Sequence, residues 1–341
     1  MKLVEAKKYR VMEICGTHTH ALMRYGLKEF YSEKLELVCG PGCPVCVTSQ
    51  SDIDRILYLC DLGMRIYTFG DLMKVPGKNG NLRERKALGA CVREVYNPLW
   101  IVDDMKKDPA RGAVFVAIGF ETTAPLIASL IEEIERERIE NLYVYLLLKL
   151  IPPAMEALLE DEENKLDGFI CPGHVSTIIG ERPYIKLAEK VKKPFVIAGF
   201  TREELTVALE KMSEMLEKSA YGVVNVYASA VKPEGNLDAR EKIKNFFEVT
   251  DTLWRGLGTI PNSGLKLREK YRRFDVMAHF QMENVSSEDP CPCGEVLTGK
   301  IKPEECQLFG TLCLPETPVG PCMVSSEGAC HASFLYGRKG E

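Results

Sequence analysis

The sequence predicts an α/β protein with two similar Rossmann-like lobes built on parallel sheets, followed by a smaller cysteine-rich region. Three observations predict it. Short apolar runs alternate with amphipathic stretches from about Leu35 to Ser229. The runs are almost continuously apolar, as strands covered on both faces are. Six of the thirteen cysteines crowd among Pro and Gly in the last fifty-odd residues.

The elements follow in chain order. Residues 1–34 form an N-terminal segment that carries Cys15 and two of the five histidines. LELVC, MRIYTF and AVFVAIG have strand length and are rich in Val, Ile, Tyr and Phe, whereas SDIDRILYLCDLG and APLIASLIEEIERERIE carry helical spacing. These make a first lobe, 35–140. LYVYLLL, DGFIC, PFVIAG and VVNVY, with the helical PAMEALLEDEE and TREELTVALEKMSEMLEK, make a second, 141–250. A faint echo relates the lobes: VFVAIGFETTAPLIASLIEE and PFVIAGFTREELTVALEKM are each a strand ending in Gly-Phe and followed at once by a helix. Beyond about Val231 the alternation decays. DAREKIKNFFEVTDTLW reads as helical and leads into the loop-rich region 251–341.

Composition bounds the function. A chain of 341 residues buries ample core and suggests two or three domains. A net charge of −5 and a pI near 5.8 leave no basic field for nucleic acid. The longest apolar run, Leu142–Ile151, is interrupted by Lys149 and is too short to span a bilayer. MKLVEAKKYR has no apolar h-region, so the reading is cytoplasmic, and thiols there count as redox or metal groups.

The tail reads as a loop-wrapped metal site, because irregular backbone can present thiolates from free directions. A disulfide framework fits poorly without an oxidising compartment. Zinc draws its ligands in tight pairs, but Cys291, Cys293, Cys306, Cys313, Cys322 and Cys330 are separated by one, twelve, six, eight and seven residues. Open spacings suit a 4Fe–4S cluster, with zinc the second choice. Six thiols exceed four ligands, so two are spare. Cys291 and Cys293, one residue apart, supply one ligand between them, and spacing does not choose between Cys322 and Cys330.

Four motifs precede the tail. In Glu13-Ile14-Cys15-Gly16-Thr17-His18-Thr19-His20, a thiol near imidazoles suits a soft metal or a nucleophile; a small buried Cys is the alternative. Gly40-Pro41-Gly42-Cys43-Pro44-Val45-Cys46 is a C-x-x-C after a strand, expected to open a helix whose dipole lowers a thiol pKa; half a zinc site competes. Cys39 makes this formally C-x₃-C-x₂-C, the spacing of radical-SAM enzymes, although Cys39 could simply end its strand in the core. Phe120-Glu121-Thr122-Thr123-Ala124-Pro125 and Pro172-Gly173-His174-Val175-Ser176 follow strands, so their polar groups are expected to converge on a cleft at the strands' carboxyl ends. Glu121, Thr122 and Thr123 could instead cap the helix at Pro125.

CGTHTH, GPGCPVC, GFETTAP, PGHVS and the tail pattern ECxxFGxxCxPxxPVGPCMVSSEGAC together resemble the HypD family of NiFe-hydrogenase maturation factors, from about Met12 to Tyr336. The resemblance implies a scaffold that holds Fe(II) with a HypC-type chaperone. Cyanide from a HypE-type partner and carbon monoxide are added there, before transfer to the hydrogenase large subunit. It implies Cys15 as the iron-binding thiol, with His18 beside it, and Cys43 and Cys46 as a redox dithiol. Glu121, Thr122, Thr123, His174 and Ser176 would line the cleft, and Cys293, Cys306, Cys313 and Cys330 would hold the 4Fe–4S cluster. Cys39 stands where the family usually has another residue. Competing readings are an iron–sulfur thiol–disulfide reductase, a radical-SAM enzyme and a zinc adaptor. A monomer that joins a transient heterocomplex is the expected state.

Overall fold

The computed structural model describes residues 7–161, 163–280, 289 and 291–337. The N-terminal reading falls partly on residues 1–6, outside the described residues. Strands form where β-branched and aromatic residues can pack on both faces. They are β1 Tyr9–Glu13, β2 Leu35–Cys39, β3 Arg65–Thr68, β4 Val92–Glu94, β5 Ala113–Gly119 and β6 Leu142–Leu148, then β7 Gly168–Cys171, β8 Pro194–Ile197 and β9 Gly222–Asn225. All nine pair in parallel, in two sheets ordered β2-β1-β7-β8-β9 and β4-β3-β5-β6. Every residue of β5 is buried, as a doubly covered parallel strand requires. The two-lobed Rossmann-like architecture is therefore present, with the cysteine-rich region packed onto it.

Sheet membership departs from the expected limits of 1–34, 35–140 and 141–250. β1 pairs with β7, after residue 167, and carries β2 into that sheet, while β6 completes the other sheet through β5. The reason lies in β1. Val11 and Met12 point to opposite faces and are both fully buried, so this strand needs neighbours and cover on each side. One lobe is thus discontinuous, and the other is an excursion within it.

The segment expected to be helical from Asp238 to Trp254 divides. The helix Leu237–Phe246 ends, and β10 Phe247–Trp254 pairs antiparallel with β11 Gly258–Leu267. From Glu248 to Leu253 half-buried and exposed residues alternate with the period of two of a strand, between buried Phe247 and Trp254, although the preceding helical spacing reads straight into this segment. Gly256 and Gly258, at φ 74° and 76°, turn the hairpin in backbone space that glycine favours. Leu150 N–H donates to the Ser263 carbonyl at 2.8 Å, which fixes the hairpin beside the end of β6. Trp254 is fully buried there; its indole N–H donates to Ser263 Oγ at 2.8 Å and its ring stacks on Phe120. Among the described residues no helix is long and apolar enough to cross a membrane.

Trp254→Ala is expected to lower stability by about 3–5 kcal/mol through cavity formation, read as a fall in the urea midpoint. A loss under about 1 kcal/mol would show that the hairpin does not anchor this region.

Candidate functional site

The first sheet switches direction between β1 and β7, and ligand sites of such sheets lie at that crevice, outside the carboxyl ends of the strands. β1 delivers Cys15, β2 the Cys43–Cys46 turn and β7 His174. Cys15 is the N-cap of the helix Gly16–Arg24. Its thiol faces the backbone amides of His18 and Thr17, but burial dominates and pushes it up to about 12. The protein alone therefore holds a neutral thiol. Its own N–H donates to Glu13 Oε2 at 3.0 Å, and Thr19 Oγ1 donates to the other oxygen of this buried carboxyl.

His18 is buried, with Nε2 at 2.9 Å from the Gly199 carbonyl, so Nε2 carries the proton. Burial lowers its pKa to about 4, which keeps the ring neutral, and Nδ1 has no partner among the described residues. Phe200 lies between it and His174: centroids are 4.8 Å away on the His18 side and 4.0 Å on the other, where the rings stack. His174 is exposed at the mouth of this crevice.

Gly42 presses on Cys15. A Cβ at Gly42 would fall inside the Ile14–Cys15 backbone, and Gly16 N–H donates to the Gly42 carbonyl at 3.2 Å. This contact sets the Cys43–Cys46 turn directly against the Cys15 loop. The turn does not open a helix as expected. Val47 N–H closes one turn onto the Cys43 carbonyl at 3.2 Å, and the helix Gln50–Asp61 starts afresh from a Ser49 cap. Without the dipole of a helix end, burial rules and the Cys46 thiol is pushed up. Cys43 Sγ accepts the Cys46 amide at 3.2 Å. Cys39 ends β2, and its thiol meets Glu13 and Thr19 instead. The formal C-x₃-C-x₂-C thus points in two directions.

From the other lobe, Glu121 follows β5 and is buried. Its Oε1 accepts the Ile151 amide at 3.0 Å, capping the helix Ile151–Glu160 rather than its own. Oε2 has no partner among the described residues, and burial raises the carboxyl to about 7. Thr122 is exposed and Thr123 half-buried against Gly119. Ser176 is fully buried and committed to the Pro172 carbonyl at 2.7 Å and Tyr184 Oη at 3.1 Å, so it supports the β7 loop from below. Tyr184, which no sequence motif singled out, is buried within the electrostatic reach of Cys15, Glu121 and Cys171. It joins the two lobes beneath the crevice.

The tail packs on the same face. Glu327 backbone meets Gly16, and Glu327 Oε1 accepts the Thr17 hydroxyl at 3.0 Å. All thirteen cysteines are free thiols. Cys322 adjoins Cys46, Cys293 and Cys330; Cys293 adjoins Cys291; and Cys313 senses Cys291 and Cys330. Gly320, lacking a Cβ, makes room for Cys291 Sγ. Among the described residues no three His, Cys, Asp or Glu side chains converge as a site for a single metal ion. The five neighbouring tail thiols do fit a thiolate-held iron–sulfur group in donor type and number. Of the expected ligands, Cys293, Cys313 and Cys330 lie in this neighbourhood. Cys306, half-buried after the turn Pro303–Glu305, enters none of the contacts named above, whereas the spare Cys322 enters half of them.

The comparisons with known proteins agree along the whole chain. The HypD family model, described as the hydrogenase formation hypA family, matches residues 1–337. The hydrogenase maturation factor HypD2 of Bradyrhizobium diazoefficiens is 43% identical over 343 residues, covering 97% of this chain and 90% of that protein. A putative hydrogenase expression/formation protein of Methanocaldococcus jannaschii is 42% identical, with 97% and 93% covered. The hydrogenase maturation factor HypD of Escherichia coli is 41% identical, with 96% and 89% covered.

Burial of Glu121 generates a pH prediction. The carboxyl ionises at about 7 when folded and near 4.5 when unfolded, so between those values the unfolded chain has lost a proton that the folded protein keeps. Stability contributed by this site is complete below about pH 4.5 and declines by about 1.4 kcal/mol per pH unit until about pH 7. Glu121→Gln is expected to flatten that decline in urea titrations at pH 5 and pH 8. Parallel profiles for variant and wild type would refute it.

Proposed function

The chain belongs to the HypD family of hydrogenase-formation proteins, and from that premise we propose that it is the scaffold on which the Fe(CN)2CO group of NiFe hydrogenases is assembled. The observation that carries the reading is the seating of Cys15 against the Cys43–Cys46 turn at the carboxyl ends of β1 and β2. Iron is the cargo. Cys15 offers it one soft donor, and a cysteine of a HypC-type chaperone offers another. A HypE-type partner delivers cyanide, and the large subunit receives the finished group.

The residues suit each task. Cyanide and carbon monoxide favour electron-rich Fe(II), which thiolate donors stabilise. Because burial keeps Cys15 protonated, binding the ion releases a proton, and the amides of Thr17 and His18 then face the thiolate. Neutral His18 adds no competing positive charge. Cys43 and Cys46 form the redox dithiol. The tail thiols would hold a 4Fe–4S cluster, with Cys293, Cys306, Cys313 and Cys330 as the proposed ligands and Cys291 or Cys322 as replacements. When bound, that group supplies electrons singly.

Anaerobically purified protein in complex with its chaperone is expected to show infrared bands of iron-bound cyanide and carbon monoxide. Cys15→Ala abolishes them, and Cys43→Ala slows their appearance at least tenfold in a reconstituted system. Wild-type complex without these bands would exclude the scaffold reading and favour the thiol–disulfide reductase, whereas bands that persist in Cys15→Ala would remove Cys15 as the iron ligand.

A further inference from the structure

A buried cation stands where the hairpin meets the thiol-rich regions. Arg255, at the turn after β10, is only 4% exposed. Its backbone N–H donates to the Val47 carbonyl at 3.0 Å, one residue past Cys46. Its Nη2 donates to Gln50 Oε1, at the start of the next helix. On its other side, Nε lies 2.8 Å from Asp289 Oδ2, and Asp289 Oδ1 accepts the Cys291 amide at 3.1 Å. The next residue, Gly256, meets Gly294 backbone to backbone, with no room for a Cβ on either. Gly294 follows Cys293, whose thiol is within the field of the guanidinium. Nη1 has no partner among the described residues. Asp289 is an exposed residue whose side chain keeps 26% of its surface in water, so water weakens its compensation of this charge.

A buried guanidinium with an unused N–H is expensive unless something negative completes it. The tail thiols become that partner when they ionise around an iron–sulfur group. We propose that Arg255 is a positioning residue for that group: it ties the Cys43–Cys46 turn to the Cys291–Cys293 segment and raises the group's reduction potential with one fixed positive charge. The inference rests on the reading of the tail thiols as iron–sulfur ligands. Reduction adds one electron and makes the group one unit more negative, so a cation beside it stabilises the reduced state more than the oxidised one. Asp289 opposes the effect.

The test uses full-length protein purified without oxygen, with iron content measured and the midpoint potential read by EPR during dithionite titration. Arg255→Gln is expected to lower the reduced-to-oxidised ratio at a fixed potential about tenfold, equivalent to about 59 mV for one electron. Arg255→Lys should retain most of the wild-type value. Asp289→Asn, which can still accept the Cys291 amide, should move the midpoint the opposite way. An unchanged midpoint in Arg255→Gln at normal iron content overturns the inference, as do equal shifts in the Gln and Lys variants. If Arg255→Gln does not load iron, Asp289→Asn decides alone: a midpoint that stays or becomes more negative overturns it. Wild-type protein without iron or signal overturns the iron–sulfur reading itself, before any variant is compared.

Discussion

Two stretches of backbone meet at Gly42 and Cys15 closer than any side chain would allow, and the geometry of the site depends on that contact. β1 and β2 are neighbours in the sheet, so the loops leaving them must share the space above it. Gly42 lets the second loop lie flat on the first. Its carbonyl takes the Gly16 amide, one of the free donors at the start of a helix, which ties the loop through a bond the helix would otherwise leave open. The loops carrying Cys15 and Cys43 are held together by backbone, so neither thiol is spent on joining them.

Burial then decides the chemistry of those thiols. Cys15 and Cys46 are both pushed up, His18 down and Glu121 up, each mainly by exclusion of water. Every one of these shifts favours the uncharged form. The crevice is thus almost free of charge, and under the proposed role its thiolates would form against the pull of burial only when a cation arrives. Such a site discriminates by charge and softness together. A hard cation would bring the charge without the covalency that thiolates reward.

Much of this was legible in the residues. AVFVAIG and LYVYLLL match β5 and β6 residue for residue, because parallel strands with no exposed residue leave an unbroken apolar run. β1 was missed because YRVME is short and half polar, and its centrality comes from partners more than a hundred residues away. The hairpin was hidden by a helix that runs straight into it. The motif residues Cys15, Cys43 and Cys46 do come together, but Ser176 turned out to be a support and Cys322 a link between the turn and the tail. Spacing along a chain says which thiols are available and nothing about which way loops fold back. Tyr184 and Arg255 carried no local signal, since their importance lies in what surrounds them.

The strand order also has a consequence for biogenesis. β3 to β6 are contiguous and can complete their own sheet from near neighbours while synthesis continues. β1 waits for β7, since Val11 pairs with Gly168 only after the whole excursion has been made. Closing so long a loop is entropically slow. The Cys15 thiol near the N-terminus therefore stays outside any finished pocket until most of the polypeptide has left the ribosome, which under the proposed role would keep a nascent chain from taking up iron too early.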